Sequence, residues 1–216
     1  MRIGLLGGSF NPIHNAHLRI AEEARTACLL DRVIFIPAAD PPHKPVAGDV
    51  SFECRSAMVS MAIADRPYFE ISTVEAERGG KSYSIDTIRL FREQFPGDEL
   101  FFIIGGDSFL ELGSWYRYRE IFSSCNLIVA ERPDCPIVNP HDALPDAVRQ
   151  EFSRDSKANC LRHRSGTATI FITGTPQELS STEIRRLAAA GADITRFVPP
   201  DVAAYISNQR IYHRCR

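Results

Sequence analysis

The chain has 216 residues, of which 44% are hydrophobic and 24% charged, and a formal net charge of −2. These proportions exclude disordered and fibrous classes. The near-neutral charge does not indicate a protein that binds nucleic acid. We find no signal-peptide pattern and no run of about eighteen apolar residues. We therefore expect a single cytoplasmic domain, residues 1–216, that binds neither nucleic acid nor a membrane. Association into a homo-oligomer is left open.

Apolar or β-branched runs alternate with helical patterns along the whole chain. In chain order they predict the strand RIGLL, the helix HLRIAEEARTACLL, the strand RVIFIPA, the helix SFECRSAMVSMAIA, the strand FEISTVEAE, the helix SIDTIRLFREQF, the strand LFFIIGG, a short helix in WYRYREIFSS, the strand NLIVAER, the strand TATIFITG, and the helices SSTEIRRLAAAG and PPDVAAYISNQ.

Nearly continuous apolar strands such as LFFIIGG are typical of a parallel sheet covered on both faces. We predict an α/β fold, a doubly wound, mostly parallel, Rossmann-like sheet in a single domain. The stretch 133–167 is rich in proline and polar residues, so we predict a loop-rich surface connection there, with one helix around ALPDAVRQEF.

The six cysteines are far apart and form no C-x-x-C pair, which favours reduced thiols over disulfides. In the segment CLRH, Cys160 and His163 could form half of a metal site. Because no second half stands at ligand spacing, a loop cysteine near a loop histidine is the simpler interpretation, and we predict no metal bound by the protein itself.

The stretch GGSFNPIHNAHL, directly after the first predicted strand, concentrates unusual chemistry in twelve residues. Gly7 and Gly8 allow a sharp turn and a close approach of a ligand to backbone N–H groups. His14 and His17 stand three residues apart at the start of a helix, so they share a face there. A helix N-terminus with two imidazole donors suits phosphate oxygens. Surface histidines and a zinc pair completed by His43 are the alternatives.

The segment LSSTEIRRL is a second candidate anion site. Ser180 and Glu183 fit a capping box that begins a helix. Ser181 adds a hydroxyl and Arg185 adds a bidentate donor one turn later. Two such sites in one sheet suggest a polyphosphate ligand. The chain has neither G-x-x-x-x-G-K-[ST] nor G-x-G-x-x-G, which excludes a P-loop nucleotidase and leaves a dinucleotide-binding oxidoreductase without support.

Together, GGSFNPIHNAH and SSTEIR resemble the G-x-F-x-P-x-H-x-G-H and I-S-S-T-x-I-R signatures of the nucleotidyltransferase superfamily. The whole chain is similar to bacterial nicotinate-nucleotide adenylyltransferases, through IPAADPPHK, KSYSIDT, FIIGGDSF, SWYRYREI, LIVAERP and VPPDVAAYISNQRIY. Ala16 departs from the glycine of the first signature, and Leu179 from the isoleucine of the second. Alanine is small and favours helix, so the phosphate approach should survive.

The resemblance implies transfer of AMP from ATP to nicotinate mononucleotide, with Mg²⁺ bound mainly through the ATP phosphates. It implies three catalytic residues, His14, His17 and Arg185. It implies ATP contacts from Gly7, Gly8, Ser9, Phe10, His14, His17, Gly105, Asp107, Ser180, Ser181 and Arg185. It implies mononucleotide contacts from Lys44, Tyr83, Ser84, Thr87 and Trp115.

Several of these residues have a simpler structural interpretation. Asp107 could be a helix N-cap. Ser82 or Ser84 could cap the next helix, with Thr87 in solvent. Trp115 could be a core residue, and Lys44 a solvated loop lysine.

Three other functions remain as alternatives. The first is a related adenylyltransferase that uses phosphopantetheine or nicotinamide mononucleotide as acceptor. The second is a non-catalytic nucleotide-binding regulator. The third, a nucleic-acid module, conflicts with the charge and the length of the chain.

Overall fold

The computed structural model describes residues 1–42, 50–131, 136–155, 159–173 and 180–212. Its helices are α1 (Asn15–Ala27), α2 (Phe52–Ile63), α3 (Val74–Arg78), α4 (Ser84–Gln94), α5 (Gly106–Leu110), α6 (Tyr118–Ser124), α7 (Asp146–Arg149), α8 (Ser181–Ala189) and α9 (Pro200–Asn208), with a 3₁₀ turn at Leu112–Ser114. Its strands are β1 (Arg2–Gly8), β2 (Arg32–Pro37), β3 (Phe69–Ile71), β4 (Glu99–Gly105), β5 (Asn126–Glu131), β6 (Phe152–Asp155), β7 (Cys160–His163) and β8 (Ala168–Thr173).

Within the described residues these strands form one sheet in the order β3-β2-β1-β4-β5-β8-β7-β6. β4 pairs in parallel with β1 and β5, and β5 pairs in parallel with β8. The predicted α/β class with a mostly parallel sheet is confirmed. In the same described ranges, no helix is both long enough and apolar enough to cross a membrane.

The chain divides into two compact units. The first contains Met1–Leu6, Ile20–Val33 and the described residues of Tyr83–Pro176. Its core is the buried apolar side chains of β1, β4 and β5, for example Leu5, Ile103 and Ile128. These are the strands whose sequences are nearly continuous apolar runs, because both faces of a parallel sheet are covered.

Register places the carboxyl ends of the central strands of the first unit side by side. Leu6 lies opposite Ile103, and Gly105 lies opposite Ala130. In open α/β sheets, ligands bind outside this edge. The loops that follow these strands are therefore where a site is expected.

The second unit contains Gly7–Arg19, Ile34–Ser82 and the described residues of Gln177–Arg216. The helix α2 packs against β3 and α9 through buried side chains such as Met58, Val59 and Ile206. The N–H of Ser72 donates to the carbonyl of Phe35 at 2.9 Å, which joins the segment after β3 to β2.

The strand predicted for FEISTVEAE is wrong beyond Ile71, because the chain turns there and forms α3. The Thr73 hydroxyl donates to the Glu77 carboxylate at 2.5 Å. Glu75 and Glu77 both lie in the first turn, where negative charge is stabilised by the helix dipole. This hydrogen bond and the two acidic residues favour a helix over the strand that the β-branched residues had indicated.

The stretch 133–167 contains more structure than the predicted loops and helix. In its described part α7 is followed by β6 and β7, which extend the sheet in antiparallel fashion from β8. The segment CLRH is β7 and not a loop. Nδ1 of His163 lies 2.7 Å from the Ser165 hydroxyl and Nε2 lies 3.0 Å from the Glu151 carboxylate, so hydrogen bonds occupy both ring nitrogens. This arrangement does not support half of a metal site.

Candidate active site

The loop Ser9–Pro12 follows β1, and Ile13 and His14 come next, directly before α1. Gly7 and Gly8 end β1, and the turn itself comes later, where Phe10 has a φ of 45°. A Cβ on Gly8 would lie 3.2 Å from the ring of Phe10, which is tight. Glycine at position 8 therefore permits the close approach of that buried ring, and the sharp turn belongs to Phe10.

His14 lies directly before α1 and His17 in its first turn, so only His17 is on the predicted helix, and the two rings form a close, tilted pair. Their ring centroids are 3.8 Å apart with an interplanar angle of 31°, and the ring of Phe10 contacts His17 edge-on at 5.1 Å. The backbone N–H of His14 donates to Nδ1 of His17 at 3.2 Å. Nδ1 is therefore an acceptor, and neutral His17 carries its proton on Nε2. This bond fixes the orientation of the ring and the tautomer that donates from Nε2.

Both imidazoles are held in the neutral form. Burial lowers the pKa of His14 to about 4. Burial and the neighbouring His14 ring lower the pKa of His17 well below its ordinary value. At neutral pH the pair therefore presents uncharged N–H donors, and an incoming anion would favour protonation by supplying the opposite charge.

The N-terminus of α8 is bound to the loop that precedes the histidines. The Ser181 hydroxyl donates to the carbonyl of Pro12 at 3.2 Å, and Nη1 of Arg185 donates to the carbonyl of Asn11 at 2.7 Å. Ser180 is the N-cap, and its hydroxyl accepts from the Glu183 N–H at 3.3 Å. The two candidate anion sites, GGSFNPIHNAHL and LSSTEIRRL, are thus in direct contact. The sequence suggested this only by indicating that both could bind one polyphosphate ligand. The predicted N-cap role of Ser180 is confirmed.

Two further residues hold the same loop, and the sequence analysis assigned neither of them a role, although Tyr212 ends the family-like segment VPPDVAAYISNQRIY. Arg55 on α2 donates from Nη1 to the carbonyl of Ser9 at 2.8 Å. The Tyr212 hydroxyl donates to Oδ1 of Asn11 at 2.7 Å. Their partners are a backbone carbonyl and a buried amide, 46 and 201 positions away in sequence, so the sequence did not show that these residues contact the loop.

Gly105 and Asp107 lie where β4 gives way to α5. Gly105 is the N-cap of α5, and Asp107 is in its first turn. The alternative that Asp107 is itself the N-cap is therefore wrong. A carboxylate in the first turn is stabilised by the helix dipole. Contact of either residue with ATP stays a prediction.

The N-terminus of α4 holds Tyr83, Ser84 and Thr87, three of the residues for which the resemblance implies contact with the mononucleotide. Tyr83 is its N-cap position, and no side chain caps it in the described structure, so neither Ser82 nor Ser84 has that role. The Ser82 hydroxyl instead accepts from the N–H groups of Ala39 and Asp40. Thr87 is buried rather than solvated, and its hydroxyl donates to the carbonyl of Tyr83 at 3.4 Å.

Trp115 is half-buried and not a core residue. Its indole meets the ring of Phe102 edge-on at 6.4 Å. The next residue, Tyr116, is 48% exposed, and its ring lies 4.4 Å from that of Tyr83. An aromatic surface of Trp115, Tyr116 and Tyr83 is thus available in the first unit. The sequence analysis assigned no role to Tyr116.

Lys44 and His43 lie outside the described residues, so the contact predicted for Lys44 stays a prediction. In the described part of the chain, no three side chains among His, Cys, Asp and Glu lie close enough together to hold a metal ion. The zinc alternative for His14 and His17 gains no support from that part of the structure.

Comparison with known proteins covers nearly the whole chain. Residues 5–187 match the cytidylyltransferase-like family model. The chain is 59% identical to the probable nicotinate-nucleotide adenylyltransferase of Pelobacter propionicus over 100% of both chains, and 55% identical to that of Geobacter metallireducens over 98% of both.

Among solved structures, the fold is similar to nicotinic acid mononucleotide adenylyltransferase of Plasmodium falciparum complexed with NaAD. The TM-score is 0.73 at 17% identity, covering 98% of this chain and 97% of that one. At that identity the likeness concerns the fold alone. The family match and the full-length identities decide membership: the chain belongs to the cytidylyltransferase-like family and, within it, to the nicotinate-nucleotide adenylyltransferases.

Proposed function

We propose that the protein transfers AMP from ATP to nicotinate mononucleotide, forming nicotinate adenine dinucleotide and pyrophosphate for NAD biosynthesis. An oxygen of the mononucleotide phosphate attacks the α-phosphorus of ATP, and the bond from that phosphorus to the oxygen bridging the β-phosphorus breaks. The attacking oxygen is already anionic near neutral pH, so no general base is required. Catalysis then consists of positioning the phosphates and neutralising their charge.

The main structural support for this proposal is the contact between the loop before the histidines and the N-terminal part of α8. The close, tilted ring pair of His14 and His17 follows a loop whose carbonyls accept hydrogen bonds from Ser181 and Arg185. The second unit therefore gathers imidazole N–H donors, a guanidinium and a helix N-terminus around one short loop. Each of these groups favours phosphate oxygens.

We assign His17 the principal catalytic role. Nδ1 is occupied by the backbone N–H of His14, so Nε2–H is aimed by a bond that needs no other side chain. A donor that is oriented before the reaction stabilises charge without reorganising during it. His14 supports that orientation, and Arg185 keeps further N–H donors for the β- and γ-phosphates.

We assign the remaining ATP contacts to Gly7, Gly8, Ser9, Phe10, Gly105, Asp107, Ser180 and Ser181. In the first unit, we assign the pyridine ring of the mononucleotide to Trp115 and its carboxylate to the N-terminus of α4. That helix begins at Ser84 without a side-chain cap, and a carboxylate suits such an end.

We propose that Mg²⁺ is bound through the ATP phosphates and water. The described residues contain no carboxylate or histidine cluster that would form a metal cage. A Mg²⁺ ion keeps several waters and commonly binds substrate phosphates, which fits a site built from cationic and N–H donors. Its contribution when bound is to neutralise phosphate charge.

We infer a cytoplasmic location from the thiols. Cys28, Cys125 and Cys160 are free and buried, and burial raises the pKa of each thiol. Buried reduced cysteines suit a reducing compartment.

The test is pyrophosphate release from ATP with one acceptor at a time. Nicotinate mononucleotide should be the best acceptor, ahead of nicotinamide mononucleotide and phosphopantetheine. Faster turnover with either of the latter would replace the acceptor that we propose. ATP binding without turnover on any acceptor would favour the regulator instead.

A further inference from the structure

The loop Ser9–Pro12 is held from behind by a buried cation. Arg55 is 1% exposed, and Nη1 donates to the carbonyl of Ser9 at 2.8 Å. No ion pair between Arg55 and a carboxylate is found in the described part of the chain, and in that part its Nε has no hydrogen-bond partner. Burial lowers the pKa of this guanidinium, yet arginine stays charged at neutral pH.

Stability alone does not account for a cation in that position. A charge removed from water costs free energy, and one hydrogen bond to a carbonyl together with the Phe52 ring, whose centroid lies 5.6 Å from Cζ of Arg55, recovers it only in part. Apolar side chains of similar volume often replace buried charged groups without loss of stability. The benefit of Arg55 is therefore expected elsewhere, and the one described hydrogen bond of its side chain leads to the loop that precedes the histidines.

Tyr212 holds the next part of the same loop. Its hydroxyl donates to Oδ1 of Asn11 at 2.7 Å, and Asn11 is 2% exposed. Burial raises the pKa of this phenol, so it remains a donor at all working pH values. The contact joins the end of the described chain to a residue 201 positions earlier.

These bonds decide which way the peptide groups of the loop face. In a trans peptide the C=O and N–H point in opposite directions. Because the Ser9 carbonyl points at Arg55, the N–H of Phe10 points away from that guanidinium. The Asn11 side chain accepts a hydrogen bond from Tyr212, which restricts the loop a second time, directly after Phe10.

We propose that Arg55 and Tyr212 are positioning residues for the adenylyl transfer. They hold the loop Ser9–Pro12 so that the N–H of Phe10 and the imidazoles of His14 and His17 are presented together to the ATP phosphates. Neither side chain touches substrate. The inference rests on the proposed function and concerns only its phosphate site.

The test uses the full chain with Arg55→Met, Arg55→Lys and Tyr212→Phe. We expect Arg55→Met to raise the dissociation constant of ATP about tenfold and to lower kcat by at least as much, because small misplacements of reacting groups have effects of this order. Arg55→Lys should recover part of both losses. Tyr212→Phe, which removes a single oxygen, should change both in the same direction by a smaller factor.

Matched controls separate positioning from stability. Arg66→Met removes a cation that lies over the Phe69 ring and does not contact the loop, and Tyr205→Phe removes a hydroxyl beside Cys54. Both controls should keep the parent affinity for ATP. In every variant the Michaelis constant for the mononucleotide should stay within about threefold of the parent, since loop positioning acts on the phosphates of ATP.

Each outcome is decisive. Unchanged ATP affinity and kcat in both Arg55→Met and Tyr212→Phe would overturn the inference. So would a fall in kcat that matches the folded fraction by circular dichroism while ATP affinity is kept. If Arg55→Met does not fold, Tyr212→Phe decides. A parent that binds ATP but does not adenylylate the mononucleotide overturns the proposed function, and ATP affinity still decides the inference. A parent that does not bind ATP overturns both.

Discussion

The neutral imidazole of His14 should make folding stability depend on pH in a range where most side chains do not titrate. The folded pKa is lowered by burial from 6.5 to about 4. As the pH falls through the ordinary value, His14 gains a proton in the unfolded chain while the folded protein still excludes it. The unfolded state then binds more protons, so acidification favours unfolding. The contribution of this group is complete above its unfolded pKa and is lost on the way down to the folded one.

The magnitude follows from the two pKa values. One group that titrates at 6.5 when unfolded and about 4 when folded lowers the free energy of unfolding by about 2 kcal/mol between pH 7 and pH 5, and by about 3 kcal/mol in full. His14 is only 5% exposed, so solvent screening does not greatly reduce this value. His17 should add a change of the same sign.

The assay is urea unfolding followed by circular dichroism at pH 7, 6 and 5, with the parent and His14→Gln. Glutamine is neutral throughout, so the variant should lose about 2 kcal/mol of the pH-dependent change. At pH 5 and above, most carboxyl groups with ordinary pKa values remain ionised, and comparison with the variant cancels what they contribute. If His14→Gln keeps the parent's dependence on pH, the imidazole is not held neutral and the burial argument is wrong.

Three further predictions concern turnover. His17→Ala should lower kcat by about a hundredfold or more while the protein stays folded, because one oriented donor is lost; turnover within a few-fold of the parent contradicts the role of Nε2–H. Arg185→Lys should also lower kcat/KM, since an ammonium cannot hold two oxygens in one plane; equal constants would indicate a purely structural arginine. Trp115→Ala should raise the Michaelis constant for the mononucleotide far more than that for ATP, because stacking on an aromatic side chain contributes roughly 1–3 kcal/mol in comparable sites. An unchanged Michaelis constant for the mononucleotide would indicate that Trp115 serves only in packing. Nicotinate mononucleotide should also alter the fluorescence of this sole tryptophan, and ATP alone much less.

The central strands could be predicted because their signal is local. β4 reads ELFFIIG, and five of its seven residues are buried. A strand covered on both faces must be apolar at nearly every position, whichever strands lie beside it. The helices α1 and α4 were similarly visible from their apolar periodicity.

The strands β6 and β7 could not be predicted, because their stability depends on distant partners. β6 reads FSRD, in which only Phe152 is buried. β7 reads CLRH and is ordered by pairing with β8, Cys160 opposite Ile170. Four residues are too few for a periodic pattern to stand out from the surrounding polar sequence. Pairing with a neighbour, and not composition, makes these segments strands.

In the candidate site too, features with a local sequence signal could be predicted, and features that depend on distant contacts could not. His14 and His17 stand in one motif, so their spacing alone predicted a shared helix face. The bond from the His14 N–H to Nδ1 of His17 is also local, but it depends on the conformation before α1, which the sequence did not reveal. Arg55 and Tyr212 contact the loop from 46 and 201 positions away. A contact of that separation has no signature in a single sequence.

For Arg185, the sequence predicted a role as a phosphate ligand, and the structure adds contacts with the protein itself. The signature SSTEIR predicted a phosphate ligand, whereas the structure shows Nη1 bonded to the Asn11 carbonyl and Nη2 3.1 Å from the Thr182 hydroxyl. A guanidinium has five N–H donors in a fixed plane, so two can hold the protein while others face phosphate. In the proposed site, the planar group would fix the distance between the loop and the phosphate, which a lysine with one flexible nitrogen cannot do. For that reason Arg185→Lys should impair ATP binding even though the positive charge is kept, and the loss should exceed that of Tyr212→Phe, which disturbs the loop alone.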